Sequence, residues 1–169
     1  MEMRLHPHAW HRRQPDWAAA VTAGLIGGAV LMVLELAWSA SVSSGDNPWR
    51  SSQLIAAIVM GEGVLQSSSF SIGVVAVALA THYVLGIVFG LLLAFIIAGF
   101  RFESRAGMLE LIGLGFGAVL YLVNFHGMSA FFPWIAELRG WAAFIGHLVF
   151  GLTVAMAYPW LERGARARR

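Results

Sequence analysis

The sequence predicts an all-α fold, an integral membrane four-helix bundle built from two parallel helical-hairpin repeats. Three observations predict it. Four apolar stretches are long enough to cross a bilayer. Arginines gather at one set of their ends. The second half of the chain repeats the order of features found in the first.

Hydrophobic residues make up 59% of the 169-residue chain and charged residues 12%. A soluble domain carries about 25% charged residues. So small a chain has too much surface to hide that apolar content from water, so lipid is the expected solvent. There is no cysteine, which excludes disulfides, Cys-ligated zinc, iron–sulfur clusters and thiol nucleophiles. The formal net charge is +2 and every basic residue is arginine. No basic stripe with interleaved aromatics occurs, so nucleic acid is not an expected partner.

A membrane helix needs about 20 apolar residues. The first span runs from about Trp17 to Ser39. Its length and its Glu35 argue against a cleaved signal peptide. A polar loop over residues 40–69 follows, holding the apolar stretch Leu54 to Val64. That stretch is too short to span and reads as an interfacial or re-entrant helix. The second span lies within Phe70 to Phe100, the third runs from about Ala106 to Gly127, and the fourth from about Trp141 to Leu161. Trp17, Trp38, Trp141 and Trp160 fall near span ends, as interfacial aromatics do.

Arginine placement orients the spans. Arg4, Arg12, Arg13, Arg101, Arg105, Arg163, Arg166, Arg168 and Arg169 share one side, and only Arg50 and Arg139 the other. Positive residues favour the cytoplasmic side. Residues 1–16 and 163–169 are then cytoplasmic tails of a single membrane domain spanning 1–169.

The internal repeat covers about 17–100 and 106–162. Gly24-Leu25-Ile26-Gly27-Gly28-Ala29-Val30-Leu31 aligns with Gly113-Leu114-Gly115-Phe116-Gly117-Ala118-Val119-Leu120, six of eight positions being identical. Each match leads to a loop with a Pro-Trp pair, Pro48-Trp49 and Pro133-Trp134. Each loop leads to a helix with a histidine four residues before a glycine, His82 with Gly86 and His147 with Gly151. Two helices per half gives parallel repeats.

The repeat also organises the polar residues. Gly24 and Gly28, like Gly113 and Gly117, are small-xxx-small pairs that allow close helix approach. Glu35 lies seven residues beyond Gly28, and Asn124 seven beyond Gly117. Seven residues is nearly two turns, so each polar residue shares its glycines' face. Glu35, His82, Asn124, His126 and His147 are expected to form an intramembrane polar cluster in the outer half of the bundle, roofed by the Pro-Trp loops. Trp49, Arg50, Trp134, Glu137 and Arg139 are the outer-loop candidates. Glu137 is expected to pair with Arg139 or cap the site, and Arg50 to cap it in the first half.

Intramembrane ionisable residues usually face a bundle interior or a water-filled cavity. Several readings stay open. Asn124 and a histidine serve as interhelical glue in one. In another, Glu35 and the histidines carry a proton or solute at the repeat interface. In a third, His82 and His147 ligate haem or a transition metal. In a fourth, glycine seams and aromatic loops dock the chain as an accessory subunit of a larger membrane complex, or as a homo-oligomer. His6, His8 and His11 offer a further metal possibility, set against a plain polar tail. No phosphate loop, Gly-x-Ser-x-Gly or metalloprotease motif occurs, which leans against an enzyme.

Asn47-Pro48-Trp49, Tyr121-Leu122-Val123-Asn124-Phe125, Phe132-Pro133-Trp134 and Arg139-Gly140-Trp141 resemble a group of uncharacterised small bacterial four-helix membrane proteins, some labelled sodium:proline symporter. The resemblance would cover nearly the whole chain. It implies the four-helix architecture and a multi-pass location in a bacterial cytoplasmic (inner) membrane. It implies no activity, because sodium:proline symporters have far more helices. Function stands as transport- or channel-related, with the alternatives above.

Overall fold

The computed structural model describes residues 14–42, 47–100 and 107–167. Four long helices dominate: α1 over Trp17–Val42, α3 over Ile72–Phe100, α4 over Met108–Leu122 and α5 over Trp141–Ala167. A short helix, α2, covers Arg50–Met60, followed by a 3₁₀ turn at Glu62–Gln66. Beyond α4 the chain continues as a π turn over Val123–Gly127, then 3₁₀ turns at Met128–Ala130 and Pro133–Leu138. The expectations for His6, His8 and His11, and for the arginines of 1–13, 101–106 and 168–169, lie outside the described residues.

Four segments are long and apolar enough to cross a membrane: Trp17–Trp38, Ile72–Phe100, Met108–Ala130 and Trp141–Ala167. By length and composition the chain is therefore a polytopic membrane protein. Its outward surface agrees: Leu36, Ile72, Leu111 and Phe131 are each more than 60% exposed. Exposed large apolar side chains recur on α1, α3, α4 and α5, which suits contact with lipid rather than water. Trp17, Trp38, Trp141 and Trp160 are also exposed, near helix ends.

α5 packs against both α4 and α1, α1 packs against α3, and α2 lies on α3. Alanines fill the closest approaches, with Ala20, Ala23, Ala94 and Ala155 fully buried. Leu93, Ile97, Phe150, Val154 and Tyr158 form the centre of the apolar core. Asp16 anchors the start of α1. Its carboxylate accepts the Ala19 N–H at 3.0 Å, and its own N–H donates to the Tyr158 hydroxyl of α5 at 3.3 Å.

Glycines set how close the long helices come. A Cβ at Gly24 of α1 would stand 2.6 Å from the Gly86 carbonyl oxygen of α3, and one at Gly90 would stand 2.5 Å from the Gly24 Cα. Between α4 and α5, a Cβ at Gly113 would stand 2.7 Å from the Gly151 carbonyl oxygen, and one at Gly117 would collide with the His147 carbonyl. In each case the obstacle is backbone. Gly28 differs: a Cβ there would meet Tyr83 at an ordinary 3.6 Å.

Two boundaries differ from the sequence reading. The short helix begins at Arg50 and ends at Met60 rather than covering Leu54 to Val64. Asn47 sets the start: its side-chain oxygen accepts the Trp49 N–H at 3.0 Å. Gly61, at φ 84°, ends the helix while its N–H still donates to the Ala57 carbonyl at 2.9 Å. At ~1.5 Å per residue, eleven residues fall well short of a ~30 Å hydrocarbon core. The second difference is α5, which continues past Leu161 to Ala167. Glu162 and Arg166, one turn apart and paired at 2.9 Å, support that extra length.

Candidate functional site

A partly open cavity of about 90 Å³ lies inside the bundle at the end where α2 and the Pro133–Leu138 turn sit. A single water needs ~10–15 Å³ by the same measure, so several fit. α1 contributes Gly28, Leu31 and Glu35, and α3 contributes His82 and Gly86. The α4 end and its π turn add Leu120, Asn124 and Phe125. α5 adds His147 and Phe150. Leu54, Ile55 and Ile58 of α2 cover it, with Ile135 and Leu138 beside them. The wall is mostly apolar, and four polar side chains converge on it.

Of the five residues expected to cluster, the structure brings together Glu35, His82, Asn124 and His147. All four lie within the candidate spans. His126 does not join them. It is exposed, and its ring stands edge-on to Tyr121 at 5.8 Å. At ~100° per residue, a residue two beyond Asn124 points away from the face that Asn124 occupies.

The hydrogen bonds define each group's chemistry. His147 Nδ1 lies 2.8 Å from the Ala143 carbonyl oxygen. A carbonyl only accepts, so Nδ1 carries the proton and donates. In the neutral ring Nε2 is then an acceptor, and Asn124 Nδ2 donates to it at 3.2 Å. That leaves Asn124 Oδ1, a buried oxygen with no hydrogen-bond partner. His82 Nε2 donates to the Gly28 carbonyl at 2.9 Å, leaving its Nδ1 as the acceptor of the neutral ring. The close approach of α1 and α3 makes that last bond reachable. Glu35 and His82 are near enough to interact electrostatically, as are His82 and His147.

The π turn explains how Asn124 arrives here. A π turn adds a residue to the helical repeat and such turns recur at functional sites. It carries Asn124 and the buried Phe125 at the end of α4. Phe125 lies edge-on to His147, and Tyr121 to the same ring, with centroids 5.2 and 6.1 Å apart. The π turn is held from outside, because Arg139 Nε donates to the Phe125 carbonyl at 2.7 Å.

The loop residues close the cavity by a different route from the one expected. Trp49 does not roof it. Trp49 is 38% exposed and packs on Phe70 at 4.6 Å. Trp134 acts through α2, its Nε1–H donating to the Leu54 carbonyl at 3.1 Å. Glu137 pairs with Arg50, not with Arg139: Arg50 Nε and Nη2 donate to its two carboxylate oxygens at 3.1 and 2.8 Å. Arg139 instead reaches Ser129 as well as Phe125. Pro-Trp spacing alone leaves these partners open, because the pairing runs between the two loops.

Sequence reasoning missed Gln53. It is 2% exposed, accepts from Asn47 Nδ2 at 2.9 Å and donates to the Ser67 carbonyl at 2.6 Å. Gln53 thereby ties α2 to the segment leading into α3. It also missed Tyr158 and Glu162, both buried at the opposite end of the bundle. Glu162 lies one turn beyond Tyr158 and one turn before Arg166. That spacing is the only signal the sequence offers for them.

Metal chemistry finds little here. Among the described residues no three His, Asp or Glu side chains meet where they could hold a metal ion. His147 has both ring nitrogens engaged, so the His82 and His147 pair is not presented as two free axial ligands. The site thus defines a class, a polytopic membrane protein with a partly open, mostly apolar cavity at one end of its bundle on which four polar side chains converge. In comparisons with known protein families, curated proteins and solved structures, nothing matches the chain.

Proposed function

We propose that the chain is a small transport-related protein of the bacterial inner membrane. It takes up a proton or small solute in the cavity lined by Glu35, His82, Asn124 and His147. The observation that carries this reading is the convergence of an ionisable carboxyl, two imidazoles and an amide on one cavity, the amide oxygen being buried without a partner. Groups of this kind inside a membrane mark solute and proton pathways. Interhelical glue accounts for the Asn124–His147 bond, but a structural role leaves no reason for the unpartnered Asn124 Oδ1.

The same reading takes the bundle as two parallel hairpins, with the cavity where they meet and the termini in the cytoplasm. It is supported by matching contacts in the two halves, Gly24 against Gly86 and Gly113 against Gly151. Orientation rests on the arginine distribution. The likeness to small bacterial four-helix membrane proteins belongs to the same proposal.

The test is proton entry into proteoliposomes under an imposed membrane potential, followed by a trapped pH-sensitive dye. The wild type should exceed empty vesicles, and Glu35→Gln or His82→Ala should return the rate to that of empty vesicles. Wild-type flux equal to empty vesicles, or unchanged flux in both variants, would remove the reading.

A further inference from the structure

We infer that the cavity is a binding site for a small, donor-rich monovalent cation of the ammonium class. The inference deepens the proposed function by naming a ligand for the same site, and it rests on that reading.

The argument is a count of unused hydrogen-bonding capacity. Backbone carbonyls commit the protons of both histidines, Nε2–H of His82 to Gly28 and Nδ1–H of His147 to Ala143. The remaining nitrogen of His147 receives the Asn124 amide N–H. What is left is Asn124 Oδ1, without a partner, the free Nδ1 of His82, and the carboxylate of Glu35. Neither Glu35 nor this His82 nitrogen has a hydrogen-bond partner among the described residues. Each of these three groups accepts hydrogen bonds, and none has a spare proton to offer while the carboxyl is ionised.

With Glu35 ionised and His82 neutral, the cavity offers only acceptors and selects its ligand by chemistry. Anions are refused, because they bring no donors and meet a carboxylate. Neutral solutes with mixed donors and acceptors leave their acceptors unsatisfied, which is costly in an apolar enclosure. An ammonium ion brings N–H donors in several directions and a charge that complements Glu35. A primary alkylammonium brings three donors and a short apolar end, suited to the apolar wall. Hard alkali cations prefer a shell of oxygens, whereas one acceptor here is an imidazole nitrogen. The volume of about 90 Å³ has room for ammonium or methylammonium with a few waters.

The test is isothermal titration calorimetry on the full chain in mild detergent, with ammonium, methylammonium, potassium and sodium chlorides. Potassium is close to ammonium in size but has no proton to donate. Ammonium and methylammonium should bind saturably, at least tenfold more tightly than potassium or sodium. Glu35→Gln should weaken ammonium binding at least tenfold, while Glu62→Gln, an exposed carboxylate away from the cavity, should not alter it. The cation series needs no variant, so the result stands even if Glu35→Gln fails to fold. Absence of saturable ammonium binding, or potassium or sodium binding equally well, overturns the inference. If proton flux sensitive to Glu35→Gln persists in that event, the transport reading survives without this ligand. If ammonium binds and no flux occurs, the ligand stands and the transport reading falls.

Discussion

The glycine seam between α4 and α5 yields a prediction whose size follows from geometry. Gly113 and Gly115 lie in the same helix, two residues apart. A Cβ at Gly113 would stand 2.7 Å from the Gly151 carbonyl oxygen and 2.9 Å from the Leu152 Cα. Ordinary contact begins at 3.4 Å, so the oxygen contact alone requires 3.4 − 2.7 = 0.7 Å of separation. Backbone atoms of a long helix cannot rotate aside, so α4 and α5 must part. A Cβ at Gly115 meets nothing within 4 Å. Glycine-to-alanine raises helix propensity equally at both positions. Subtracting one variant from the other therefore removes the propensity gain and leaves the packing cost. Overpacking of this kind costs about 1–3 kcal/mol. Gly113→Ala should be less stable than Gly115→Ala by that amount, measured by SDS titration of the protein in mixed micelles with helical circular dichroism as readout. Equal stability of the two variants would refute the claim that backbone contact at Gly113 holds the helices together.

Two smaller predictions concern the cover of the cavity. Trp134→Phe keeps an aromatic ring but loses the pyrrole part of the indole, and with it the N–H bond to the Leu54 carbonyl. It should cost about 0.5–1.5 kcal/mol in the same titration, and a loss near zero would mean that the bond does not hold α2. Arg50→Ala and Glu137→Ala, combined in a double-mutant cycle, should show a coupling of only about 0.2–1 kcal/mol, because both side chains are well exposed. That coupling should shrink further in 1 M salt, where the Debye length falls to about 3 Å. A coupling unaffected by salt would count against a solvent-exposed ion pair.

Much of the architecture was legible in the sequence because membrane spans announce themselves by length and hydropathy. α1, α3, α4 and α5 start or end close to the positions the apolar stretches marked. α2 was harder to bound. It starts after an Asn47 side-chain turn and stops at a positive-φ glycine, signals weaker than a long apolar run. In the site, helical spacing placed Glu35 and Asn124 on the faces of their glycines, since seven residues nearly closes two turns, and both residues line the cavity. Grouping by depth misplaced His126, because depth ignores the angle around the helix. The Arg50–Glu137 pair was hidden for another reason. Arg50 opens α2 and Glu137 lies in the Pro133–Leu138 turn, and only the packed bundle brings those two segments together.

α2 belongs to the first half of the chain and packs on α3, but two of its ties come from the second half. Its Leu54 carbonyl waits for Trp134, and its Arg50 waits for Glu137. A ribosome delivers those partners only after α3 and α4 have been made. The α1–α3 glycine contact needs no later residue, so the first hairpin can pack while synthesis continues. The cavity cannot close until the last loop emerges. Its lid therefore doubles as a marker of completed assembly, since a chain stopped before Trp134 would hold Glu35 and His82 under an α2 that lacks its ties to Trp134 and Glu137.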